Sequence, residues 1–202
     1  MDGAKIQLSE EEKQLISNTE WILTKNSILA RVNQLMIAVL DQQQLCLRQS
    51  TQLPPDALAS TPKISRGENY QGLPYLVLDH PRVFLKEDTF AIRTFFWWGH
   101  FFSTTLQLSG SYKKTYEEKV IASYPELVAR QIRIAISADP WEHHLEEDNY
   151  RAVHRFTPSD FAEHIRTHPF LKLTAVLPLS EWDSAINILG KDFRFLTGLL
   201  VT

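Results

Sequence analysis

The sequence predicts an α+β protein: an antiparallel β-meander sheet flanked by an N-terminal helix pair and a C-terminal helix. Three observations carry that reading. Apolar residues recur at helical spacing near both ends of the chain, in 9–48 and 180–200. Runs rich in strand formers fill the part between, 62–178. The regular strand-helix alternation of a parallel sheet is absent.

The elements follow in order. Ser9 and Glu12 form a capping-box pattern ahead of Leu15, Ile16, Ile22 and Leu23, which predicts a first helix over 10–24. Asn26 or Ser27 caps a second, with Ile28, Val32, Leu35, Val39 and Cys46 on one apolar stripe. Packing against the sheet or each other is the plain use of these helices, and a homo-oligomer interface is the rival one. Residues 50–63 hold three prolines and no periodicity, so they read as a connection. "RGENYQG", 66–72, reads as a tight turn, and 73–78 as a short strand ending in a charged loop at 82–88.

From Thr89 to Leu108 the chain is strand-like beyond the usual length, and Gly99 is where it can turn back. A meander of three strands results, 73–78, 89–98 and 101–108. A short helix around Tyr116–Ala122, a helical turn from Pro125, the alternating "RIAIS" and a strand over 150–156 follow. Thr157, Pro158 and Asp160 start a short helix. "FLKLTAVLPL" is a strand, and Ser180 with Asp183 caps a last helix over 181–199.

The chain's 202 residues suit one domain, because that length buries a sizeable core without splitting. Twenty-one basic against 24 acidic side chains leave a net charge of −3, without the basic surface that nucleic acid binding normally needs. The single cysteine, Cys46, allows no disulfide within the chain and fits a reducing, cytoplasmic setting. The first residues lack the pattern of a secretory signal, and no apolar window is long enough to span a bilayer, so no membrane partner is expected.

The stretch "FFWWGHFF", 95–102, decides whether the middle of the chain is core or site. Along 90–108 the even positions are the more apolar face. The odd positions place Arg93, Phe95 and Trp97 with Ser103, Thr105 and Gln107, flat apolar surface beside donors, as in a pocket wall. A hairpin at Gly99 is expected to swap the faces beyond it. Arg66 with Tyr70 suits an anionic group, so the predicted ligand-binding residues are Arg66, Tyr70, Arg93, Trp97 and His100.

His143 and His144 among Glu142, Glu146, Glu147 and Asp148 are the residue types a transition metal uses, but adjacent histidines diverge and no HExxH occurs. A solvated acidic loop is the competing reading of this stretch. No phosphate-binding loop, GxGxxG or GxSxG elbow is present, so no cofactor is expected and nucleophilic catalysis has no support.

The order of features in 64–120, a basic-glycine turn, "LPYLVL", the aromatic "WWGHFF" strand pair and a helix, resembles uncharacterised bacterial proteins classed only as domains of unknown function. The ending "LKLTAVLPLSEWD" has a similar look. The resemblance implies an α+β fold and no activity, and no site residue is carried over from it. Three functions stand open at this point: a small-molecule or anion binding or accessory module, a metal-dependent enzyme built on the histidine-carboxylate cluster, and an oligomeric interaction protein.

Overall fold

The computed structural model describes residues 6–48 and 52–201. The capping box forms as expected: the Ser9 hydroxyl accepts from the Glu12 N–H at 3.1 Å, and the Glu12 carboxylate accepts from the Ser9 N–H at 2.6 Å. It starts α1, Glu10–Ser17. The break between the two helices falls earlier than predicted. Asn18 is extended (φ −93°, ψ 95°), and its side-chain oxygen accepts from the Glu20 N–H at 3.1 Å, which caps α2, Thr19–Arg48. Asn26 and Ser27 are exposed within α2 and interrupt nothing.

Of the connecting segment, 50 and 51 lie outside the described residues; the rest contains the short α3, Pro55–Leu58. "RGENYQG" is mostly strand rather than turn. It belongs to β1, Lys63–Tyr70, and only Gln71 and Gly72 turn the chain, with φ of 49° and 81°. This two-residue left-handed connection suits the twist of the strands it joins. β2, Leu73–Phe84, runs well past the predicted 73–78 because it bulges between Asp79 and Arg82, where the His80–Pro81 bond is cis, and then resumes pairing. β3, Thr89–Trp97, and β4, Phe101–Ser109, are the expected hairpin, with Gly99 at φ 76°. The meander therefore has four strands, not three.

Next come α4, Gly110–Ala122, longer than predicted, and α5, Tyr124–Ala129. β5, Arg133–Ala135, and β6, Tyr150–Ala152, are short; the strand expected to 156 gives way to a tight helical turn at Val153–Arg155. α6, Pro158–Thr167, is capped as predicted by the Thr157 hydroxyl. β7 is Phe170–Pro178. The last helix, α7, covers Ala185–Gly198, because Leu179–Ser184 winds as a tighter helical turn and Ser180 makes no cap.

Among the described residues seven strands form one antiparallel sheet in the order β1-β2-β3-β4-β7-β5-β6. Phe96 lies opposite Phe102, and Trp97 opposite Phe101, so the turn at 98–100 keeps even residues on one face from β3 into β4. The face swap expected at Gly99 does not occur, because three connecting residues preserve parity. Phe90, Ile92, Phe96, Phe102, Leu106 and Leu108, with Leu171 and Leu173 of β7, form the main core against the helices. The odd face is covered by a loop, residues 136–149. No helix among the described residues is long and apolar enough to cross a membrane.

Candidate functional site

The loop-covered face gathers most of the buried polar chemistry of the molecule. Strand alternation sends Asp79, Arg93, Thr105, Gln107, Lys172 and Thr174 to this side. Tyr150 joins them from β6, opposite Ala135. Toward the β1 edge the same face turns aromatic, with Tyr70, Tyr75, Val77, Phe95, Trp97 and Phe101 packed with Leu145 of the loop.

Arg93 is the hub. Its Nε and Nη2 donate to the two carboxylate oxygens of Asp79 at 2.7 and 3.0 Å, a bidentate fork made possible because the two residues are register partners across β2 and β3. Its Nη1 lies 3.1 Å from His143 Nε2, and its guanidinium lies 5.7 Å from the Trp141 ring centre. A guanidinium only donates, so Nε2 accepts and the imidazole is neutral with its proton on Nδ1. Burial, with Lys172 and Arg93 nearby, holds His143 well below the usual histidine range. The ring packs beside Phe95, with centroids 4.9 Å apart.

Two sheet residues pin the loop. The Tyr70 hydroxyl accepts from the His143 and His144 N–H groups at 2.7 and 2.9 Å and donates to Glu142 at 2.9 Å. Burial raises its pKa to about 12, so it stays protonated and a donor. Lys172, 1% exposed, donates from Nζ to the carbonyl oxygens of Pro140 at 2.8 Å and Glu142 at 2.5 Å. Its partners are neutral: no ion pair among the described residues includes it. Burial, and then Arg93, pulls its pKa down to about 7. The Tyr150 ring lies under the ammonium at 5.5 Å, and burial raises that phenol's pKa strongly. Asn149 ties the loop ends together: its backbone carbonyl accepts from Ile136, and its side chain bonds Ser137 and the His144 carbonyl.

Three of the predicted ligand-binding residues, Tyr70, Arg93 and Trp97, come together here with His143. Arg66 does not. It lies opposite Leu76, on the helix side of the sheet, and pairs with Glu68 in solvent. The register shift between Gly67 and Tyr70 is what puts Tyr70 on the other face. His100 is exposed at the turn and stacks flat on Trp97, centroids 3.5 Å apart, so it lies at the rim rather than in a pocket wall.

The two predicted metal ligands diverge. His143 turns to Arg93, while His144 faces Glu142 and Asp148 at 3.6 and 3.9 Å. Among the described residues no group of three metal-ligating side chains is assembled, and a guanidinium occupies the place a cation would take at His143 Nε2. Lys172 is the residue that sequence reasoning missed. Its signal was a lone cation inside the otherwise apolar strand run "FLKLTAVL". The chain matches no family model, no curated protein and no solved structure.

Proposed function

We propose that the protein is a cytoplasmic binding module for a small anionic ligand, taken up on the loop-covered face where loop 136–149 lifts and the anion replaces the backbone carbonyls on Lys172. The carrying observation is the Lys172 ammonium, buried against the sheet and held only by the carbonyls of Pro140 and Glu142. A buried charge with neutral partners gains most from a counter-ion. Arg93 stands two strands away, across β4, with its charge already balanced by Asp79, and the Asp139 and Glu142 carboxylates act on Lys172 without forming an ion pair with it, so a counter-ion in direct contact is what the ammonium lacks. The aromatic half of the face, Tyr70, Phe95 and Trp97, offers flat surface to the rest of the ligand.

The test is a thermal-shift series with succinate, benzoate and inorganic phosphate at pH 6 and pH 8.5, since a ligand of the folded state raises the melting temperature. Stabilisation is expected to be stronger at pH 6, where Lys172 carries its proton, to vanish in Lys172→Met, and to persist in Arg66→Ala. No stabilisation by any of the three, or equal stabilisation of Lys172→Met, overturns the reading.

A further inference from the structure

A cavity of about 410 Å³ lies on the helix side of the sheet, independent of the loop-covered site. Among the described residues its lining comes from the end of α2 (Gln44, Leu47 and Arg48), from Leu58 and Pro62, and from His80 of β2. Strand alternation puts His80 on the side of Leu76 and Leu78, facing the helices, and the bulge between Asp79 and Arg82 leaves it without a register partner on β3. Two bonds tie the facing segment to β2: the Arg82 N–H donates to Ser60 Oγ at 2.9 Å, and Arg82 Nε donates to the Thr61 carbonyl at 2.8 Å.

His80 is only 5% exposed, and its Nδ1 is shut in without a hydrogen-bond partner. Burial lowers its pKa, so the ring is neutral and carries one proton. An enclosed lone pair without a donor is better tolerated than an orphaned N–H, which puts that proton on Nε2, the nitrogen left to meet the cavity.

The polar groups of the cavity therefore present donors. Besides His80 Nε2–H there is the Arg48 guanidinium, which pairs with no carboxylate among the described residues. The Ser60 hydroxyl is already engaged, donating to the Ala57 carbonyl at 2.7 Å. No carboxylate is among the lining residues, and the rest of the wall, Leu47, Leu58 and Pro62, is aliphatic. A guanidinium beside a second N–H suits a carboxylate. Apart from His80 no ring lines the cavity, so a flexible aliphatic chain fills it better than the flat rings that suit the aromatic loop-covered face. We infer that this cavity is a second binding site, for a short aliphatic monocarboxylate whose carboxylate accepts from Arg48 and from His80 Nε2 while its chain lies against Leu47, Leu58 and Pro62.

The test is an NMR titration of the full chain carrying Lys172→Met, so that the loop-covered site takes no part, with butyrate and isovalerate as probes. The imidazole signals are followed, and the one lost in His80→Phe is that of His80. Both carboxylates are expected to move this signal and to raise the melting temperature, whereas benzoate and inorganic phosphate leave the signal in place. Arg48→Gln, at an exposed position, is expected to weaken binding at least about tenfold. His80→Phe is expected to abolish binding yet melt no lower than its parent, because the ring keeps its bulk and loses a nitrogen that has no partner. A His80 signal indifferent to both carboxylates overturns the inference, as does binding unchanged in Arg48→Gln, or an equal response to benzoate or phosphate. A His80→Phe protein that melts far below its parent shows that Nδ1 has a partner, and overturns it as well.

Discussion

The two faces of the sheet are built from the same strands by the same alternation, yet they are closed in different ways. The even face is sealed by helices, with Phe90, Ile92, Phe102 and Leu106 fully buried. Its polar contact is small: Gln43 of α2 donates to Thr94 at 3.1 Å. The odd face is sealed by a loop and holds Asp79, Arg93, His143, Lys172 and Tyr150 out of water. Helix-on-sheet burial is cooperative and apolar, so it stabilises the whole fold. Polar groups beneath a loop are costly unless every partner stays in place, so this face is where opening is expected to be local.

The largest expected effect comes from a ring on the helix side of that division. Phe102→Ala removes a fully buried ring from the helix face and is expected to cost about 3–5 kcal/mol, read by denaturant unfolding. Its amide exchange should quicken across the whole sheet. If only local amides respond, the even face is not the cooperative unit.

Lys172→Met sharpens the contrast through pH. Burial lowers the Lys172 pKa from 10.5 to about 7, so between these values the unfolded chain binds the extra proton and the folded one does not. Stability from this site therefore rises with pH across that window, and below it the full cost of the buried charge is present. Wild type minus Lys172→Met is expected to climb by at most about 1.4 kcal/mol per pH unit from pH 7 to pH 10 in chemical denaturation. A flat difference would show that the ammonium is solvated.

Tyr70→Phe removes one of the two pins. A loss of about 1 kcal/mol is expected, with faster exchange confined to the His143 and His144 amides. Spread of that effect into β3 and β4 would make the loop part of the global unit. The smallest effect belongs to His100→Ala, since an exposed ring stacked on Trp97 is expected to change stability by under about 0.5 kcal/mol and to leave the proposed anion binding untouched.

Much of the architecture was legible because local rules decided it. The capping box at Ser9, the cap at Thr157 and the turn at Gly99 each depend on residues within one or two turns of chain. The site was only partly legible. Face alternation put Arg93 and Trp97 on one mixed face, and Tyr70, read with Arg66 in "RGENYQG", joins them there, while Arg66 was misplaced because a single register shift in β1 inverts the parity beyond it. Lys172 escaped because its chemistry comes from Pro140 and Glu142, about thirty residues earlier in the chain and brought over it by the loop.

By itself, then, the sequence determined the α+β class, the helices at both ends, the hairpin at Gly99 and the division of β3 and β4 into an apolar and a mixed face. Those follow from periodicity and turn chemistry, which act over short distances. Only the tertiary structure decided that helices cover the even face and a loop the odd one, that His143 accepts from Arg93 while His144 turns away, and that Lys172 is buried among neutral partners. Burial and pairing depend on which distant segments meet, and a linear pattern carries no record of that.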